Sequence, residues 1–349
     1  MSHSHARGHD RPQLIPKVPQ ELVHKHASDE VLLTDWTTHG DDRHTVRAHW
    51  PRFHSFYWPR NRRFDPLLFV ETVRQTFPLL SHVAYGVPHG SHLVWDDFAF
   101  EIEPSAMQVP QAPADVVLEI TCTDVRTRRG CLVSMSMHAD VRVNGQYVGN
   151  AGTRFTNHSP AVYRRLRGTH DLAGLRDRVL PLPPALPPAT VGHCLPENVV
   201  LAATERADRW QLRADLDHGI LFDHPVDHAP GMLLLEALRQ AAHANRPDAH
   251  SMVTAMSVSF TGWVELDAPT WVTVEPLSPD VLKAVIAQDH GVCLTGEVTI
   301  KSVPPPTAET GLPCLDPSCL LDTPHAPARA HRESAGLVSR PPTAGCPVG

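Results

Sequence analysis

Residues 230–242 read PGMLLLEALRQAA, and 165 positions earlier residues 65–77 read DPLLFVETVRQTF. The apolar positions are exchanged between the copies, while Leu68/Leu233, Glu71/Glu236, Arg74/Arg239 and Gln75/Gln240 are identical. Glu and Arg three apart, and Glu and Gln four apart, share one face of a helix. Asp65 is a suitable N-cap, with Pro66 in the first turn, and the pattern predicts helices over about 66–80 and 231–244. The second is apolar almost all round, so it should be wrapped by sheet rather than lie on a surface. A repeat that relaxes its apolar residues but keeps a carboxylate, a guanidinium and an amide points to duplicated chemistry on a duplicated fold.

Working outward, 23–33 (VHKHASDEVLL) aligns with 191–201 (VGHCLPENVVL) at an offset of 168. Unit one then offers alternating, strand-like segments at 43–50, 93–102, 116–125, 131–143 and 147–155, with Asn144-Gly145 as a hairpin turn. Unit two repeats the order with 210–216, 253–260, 271–276, 282–288 and 292–300. Between them, 159–188 suggests one helix near 161–166, followed by a proline cluster that neither a helix nor a central strand could continue. The expected organisation is a flexible start (1–20), unit one (21–158), a helix and Pro-rich linker (159–190), unit two (191–303) and a disordered Pro/Ala-rich tail (304–349). Strand, strand, helix, then long antiparallel strands is an α+β layer arrangement. One helix wrapped by a curved sheet, present twice, predicts a tandem hot-dog fold that packs as a pseudo-dimer within one chain.

The 349 residues suffice for two cores, and 42% hydrophobic with 20% charged residues is ordinary for a soluble globular protein. A net charge of −7 gives no whole-chain attraction to nucleic acid or anionic membrane. No run of 18 apolar residues occurs, and the opening MSHSHARGHD lacks a signal-peptide apolar stretch, so a cytoplasmic location is expected. Seven cysteines without CxxC spacing suggest free thiols, although Cys122 and Cys131 could face each other across a hairpin.

The segment 222–240 (FDHPVDHAPGMLLLEALRQ) resembles that around the central helix of hot-dog dehydratases acting on carrier-protein substrates. Pro230-Gly231 and Glu236 match, and His224-Pro225 matches more loosely because the loop before Pro-Gly is about two residues shorter. The duplicated E-x-x-R-Q, the opening VHKHASDEVLLTDW and the DHPVDHAPGM segment resemble the A-factor biosynthesis (AfsA-like) family of γ-butyrolactone synthases over roughly 20–300. This resemblance implies an acyltransferase, without cofactor, that moves a β-ketoacyl group from an acyl carrier protein thioester to dihydroxyacetone phosphate. The ester then closes to a butenolide on the way to a diffusible signal. The alternatives are a hot-dog thioesterase or dehydratase, and a non-catalytic regulator.

On the functional reading Glu71 and Glu236 are general bases, while Arg74 and Arg239, with Gln75 and Gln240, bind substrate, arginine being suited to phosphate. Burial would raise the carboxyl pKa and the arginine lower it. On the structural reading each Glu–Arg pair is a buried bridge that fixes helix register. Family geometry sets one unit's loop against the other's helix. His224 is then expected near Glu71, as a catalytic group, and Arg60, Arg62 and Arg63 near Glu236 and Arg239, with Arg62 and Arg63 binding phosphate. The clefts would be non-equivalent, the arginine-rich one suiting the phosphorylated acceptor. No metal site is expected, since the prolines around His224-x3-His228 disfavour a helical pair and His3, His5 and His9 would bind only adventitiously. Basic clusters at Arg126, Arg128 and Arg129 and at Arg164, Arg165 and Arg167 are candidate carrier-protein contacts.

Overall fold

The computed structural model describes residues 17–303, apart from positions 171 and 173. The expected disordered tail and most of the expected flexible start, including His3, His5 and His9, lie outside the described residues. Unit one contains β1 (Leu33–Thr38), β2 (Arg43–Trp50), α1 (Pro66–Val83), β3 (His92–Ile102), β4 (Ala114–Arg128), β5 (Cys131–Val143) and β6 (Gln146–His158). Two short helices follow, α2 (Pro160–Arg167) and α3 (Leu175–Arg178). Unit two repeats the order with β7 (Leu201–Ala203), β8 (Arg209–Leu212), α4 (Gly231–Asn245), β9 (Ser251–Phe260), β10 (Trp271–Pro276), β11 (Val281–Gln288) and β12 (Gly291–Ser302).

The strands form one antiparallel sheet in the order β1-β2-β4-β5-β6-β3-β9-β12-β11-β10-β8-β7. That order reads the same from both ends once each strand is replaced by its repeat partner. Its midpoint is the β3–β9 pair, where Phe98 faces Val258 and Phe100 faces Met256. The tandem hot-dog expected from the sequence is therefore the observed architecture, and its halves are continuous through a shared sheet.

Local signals explain the elements. Asp65 caps α1, accepting from the Leu67 N–H at 2.7 Å, and α1 runs on through Pro78. Asn144 and Gly145 both take positive φ (49° and 81°), as the tight β5–β6 hairpin requires. From Ala114 to Cys122 β4 alternates inward and outward, which lays one face on the core. Met232 to His243 of α4 are all buried, and so is α1 from Pro66 to Ser81 except Arg74. Sheet and loops thus enclose both helices.

Two local expectations are corrected. The alternation at 210–216 yields a strand only to Leu212, because Arg213 turns out of the sheet to donate to the Pro183 and Val199 carbonyls. Cys122 and Cys131 are not opposed: their cross-strand partners are Met137 and Arg128, and both thiols are free.

Candidate active site

Each central helix presents the same four-bond cluster. In unit one, Glu71 Oε1 accepts from Arg74 Nη2 (2.8 Å) and Gln75 Nε2 (2.9 Å), while Oε2 accepts from Arg74 Nε (2.8 Å). Lys25 Nζ lies 3.2 Å from the same Oε1. In unit two, Glu236 Oε1 accepts from Arg239 Nη2 (2.7 Å) and Gln240 Nε2 (2.6 Å), and Oε2 from Arg239 Nε (2.8 Å). The place of Lys25 is taken by His193, whose Nε2 is 2.7 Å from Oε1. Both carboxylates are buried, at 2% and 1% side-chain exposure.

Burial pushes both carboxyls up, but their cations and hydrogen bonds outweigh it. Against that desolvation Arg74, Lys25 and the bonds from Arg74 and Gln75 hold Glu71 down at about 2. The Arg239 charge and the hydrogen bonds from His193 and Arg239 hold Glu236 lower still. In each pair both carboxylate oxygens accept bonds from the arginine, the geometry of a buried bridge.

The glutamines clamp neighbouring backbone. Gln75 Oε1 accepts from the Leu32 N–H (2.9 Å) and its Nε2 also donates to the Glu30 carbonyl (2.8 Å). Gln240 does the same with Val200 (2.9 Å) and Asn198 (2.8 Å). Both amides are fully used and fully buried, so each fixes the segment that enters its unit's first strand. A second duplicated device holds the loop before each helix. His54 Nδ1 accepts from the Phe56 and Tyr57 N–H groups, with Nε2 3.3 Å from Glu30. His218 Nδ1 accepts from Ile220 and Leu221, with Nε2 3.3 Å from Asn198.

The surroundings diverge. Beside Glu236, a narrow cleft is lined by Arg60, Arg63 and Asp65 of unit one and by Arg239, His243 and His250 of unit two. Arg239 Nη1 sits 3.8 Å from Asp65, the cap of α1, so the arginine bridges the two units. The cleft's free volume is about 30 Å3. Arg60 and Arg63 occupy the expected cleft. Arg62 does not line it, because it takes a left-handed turn (φ 58°) between them.

On the Glu71 side histidines gather instead. His24 Nε2 is 2.9 Å from His82 Nε2, His89 stacks on His82 with centroids 4.5 Å apart, and His26 lies 5.5 Å from His224. Burial, helped by His82 and Arg74, pushes His24 down to about 3. His224 has come to the unit-one side, as expected, and burial and Arg74 lower its pKa. Its Nδ1 is buried without a hydrogen-bond partner among the described residues. Arg74 keeps 16% side-chain exposure against 2% for Arg239.

Of the cluster Arg164, Arg165 and Arg167, the first two are exposed and the third is not. Arg167 is buried, bonded to Asp227 (3.0 Å) and to both Glu265 oxygens (2.8 and 2.7 Å), and lies over the Trp263 ring. With Tyr163, which donates to Asp227 at 2.6 Å, it anchors the loop ahead of α4. Arg126, Arg128 and Arg129 are exposed at the β4–β5 hairpin.

The sequence reading missed Lys25, His193 and the His54/His218 pair. The first two occupy the same column of the alignment between 23–33 and 191–201, and the histidines begin HSF and HGI, 12 and 13 residues before their helices. What hid them was attention to identical columns, since the contact to Glu is kept while its chemistry changes.

Two enclosed helices, each aiming a carboxylate–guanidinium pair toward the junction of fused hot-dog units, define a tandem hot-dog protein with duplicated, divergent polar clusters. The chain belongs to the AfsA family: the A-factor biosynthesis hotdog domain matches residues 7–159 and 176–304. It is 45% identical over 260 residues, 74% of this chain and 87% of the relative, to a 2-oxo-3-(phosphooxy)propyl 3-oxoalkanoate synthase of Streptomyces virginiae. A synthase of the same name from Streptomyces coelicolor is 38% identical over 74% of this chain and 82% of its own length. Among solved structures, an acyl-ACP thioesterase from Bacteroides thetaiotaomicron aligns with 76% of this chain and all of its own at 10% identity and a TM-score of 0.48, too loose a likeness to bear on function.

Proposed function

We propose that this protein is a 2-oxo-3-(phosphooxy)propyl 3-oxoalkanoate synthase, transferring a 3-oxoacyl group from an acyl carrier protein thioester to the hydroxyl of dihydroxyacetone phosphate. Its relatives' name supports the product class, and the product's alcohol half is dihydroxyacetone phosphate. The observation that carries the reading onto this chain is the arginine-lined seam, where Arg60 and Arg63 of one unit meet Arg239 of the other. Guanidinium groups bind phosphate oxygens in paired, charge-assisted hydrogen bonds. In this reading those three arginines hold the phosphate, Glu236 fixes Arg239, and the carrier protein meets the exposed Arg126, Arg128 and Arg129. The ester would enter γ-butyrolactone or butenolide signal synthesis.

Among the described residues no helix is long and apolar enough to cross a membrane. Cys122, Cys131 and Cys293 are free thiols, which fits a reducing compartment such as the cytoplasm.

The test mixes the purified full chain with a 3-oxoacyl carrier protein and dihydroxyacetone phosphate and searches by mass for the phosphorylated ester. Ester formation is expected. Free 3-oxo acid alone would make the protein a thioesterase, and untouched thioester a regulator. Arg60→Ala or Arg63→Ala should raise KM for dihydroxyacetone phosphate by roughly tenfold or more, the worth of one charged hydrogen bond, while Arg62→Ala leaves it unchanged.

A further inference from the structure

We propose that His193 is the general base of the transfer, which makes the Glu236 cluster the reacting centre; this rests on the acyl-transfer reading above. The two carboxylates receive the same bonds from arginine and glutamine and differ in one partner only, Lys25 against His193. An ammonium has donors and no acceptor, whereas a neutral imidazole has one of each. Glu236 Oε1, 2.7 Å from His193 Nε2, can only accept, so Nε2 carries the hydrogen and the neutral ring holds its lone pair at Nδ1. His193 Nδ1 makes no hydrogen bond among the described residues, and the side chain keeps 4% exposure.

The loop that carries His193 lies against the cleft wall. A Cβ at Gly192 would fall 2.5 Å from Arg60 Nη1 and 3.0 Å from the His243 ring, both of which line the arginine cleft. The other partner of the same carboxylate, Arg239, lines it too. The neighbouring imidazoles are less available as bases. His218 uses both ring nitrogens. His243 is committed through Nδ1 to Ser251 at 3.0 Å and bonds no carboxylate among the described residues.

In the step, His193 Nδ1 takes the proton of the acceptor hydroxyl as its oxygen attacks the thioester carbonyl. The C–O bond forms, the C–S bond breaks, and the departing thiolate takes the proton back from the imidazolium, which Glu236 stabilises meanwhile. The products are the ester and the free thiol, with no oxidant or co-reactant consumed. Glu236 is a positioning residue in this scheme.

The test compares wild type, His193→Gln and His193→Lys, the latter copying the residue of unit one, for ester formation across pH 5 to 9, with melting curves for each. Positioned base catalysis contributes on the order of 10²–10⁴ in rate. Both variants should therefore lose at least about a hundredfold in kcat while KM for dihydroxyacetone phosphate changes by less than about threefold. The acid limb of the wild-type kcat profile should vanish from the residual activity, which a merely structural histidine would not cause. Turnover in His193→Gln within about threefold of wild type, or an acid limb that stays in place, overturns the base assignment alone. No ester from the wild type overturns the acyl-transfer reading and this proposal with it.

Discussion

The Glu71 and Glu236 clusters were built from one design and have been spent differently. Both keep the bidentate Glu–Arg pair and the glutamine clamp, so the frame that fixes each helix against its incoming strand is duplicated bond for bond. The fourth contact is where they part, because Lys25 closes one site with a fixed charge and His193 opens the other to proton traffic. The walls follow suit: histidines gather beside Glu71, and arginines from the opposite unit beside Glu236. Duplication allows this, since one copy can keep the structural role while the other is free to change.

The largest difference should emerge on breaking the ion pairs. Arg239→Ala leaves Glu236 and Asp65 buried without their guanidinium, and losing one partner of a buried pair costs about 3–5 kcal/mol. Arg74→Ala should cost clearly less, because Arg74 is partly exposed and Lys25 remains on Glu71. Urea unfolding of both variants decides this, and equal losses would remove the asymmetry.

Acid comes next. The Glu71 carboxyl sits near 2 when folded against 4.5 for the unperturbed group. A depressed carboxyl stabilises the fold above its unfolded pKa and loses that contribution as pH falls toward the folded value. Stability on the order of 3 kcal/mol should thus drain away between about pH 4.5 and 2. Glu71→Gln should flatten the stability curve in that window, and Glu236→Gln should flatten it to lower pH, because Glu236 is held lower. Gln75→Leu and Gln240→Leu should then cost the same, about 1–3 kcal/mol each for an orphaned buried N–H. A large inequality between them would show that the clamps have diverged as well.

Most of the fold was legible because hydrophobic period and turn chemistry are local. The alternation of β4, the Asn144-Gly145 turn and the cap at Asp65 each sit within a few neighbouring residues. The repeat supplied the rest, since a duplicated helix implies a duplicated sheet. The site was legible only where columns were identical. Glu, Arg and Gln were found, but their division of labour was not, because it depends on how many donors reach each oxygen. Lys25 and His193 lie more than 40 residues from the carboxylates they touch, and only the fold brings them there. Arg62 and Arg63 are adjacent in sequence, yet the turn at 60–63 buries one and turns the other from the cleft.

The subtlest contrast lies one residue before that fourth contact. Gly192 and its counterpart His24 both take left-handed backbone, at φ 74° and 52°. Unit one pays for a side chain there and uses it against His82, whereas unit two keeps glycine and fills the space with Arg60. Gly192→Ala should cost about 1–2 kcal/mol in thermal or urea unfolding, the strain of a Cβ in this conformation. The new Cβ would also push Arg60 Nη1 aside, since 2.5 Å is no contact distance for carbon. Phosphate affinity should therefore fall severalfold in calorimetry although no candidate phosphate ligand is replaced. His24→Ala meets no new backbone strain and leaves Arg60 alone, so it should lose stability only through the His82 contact and keep phosphate affinity. Equal phosphate affinity in the two variants would mean that the glycine serves the chain's path and not the arginine's position.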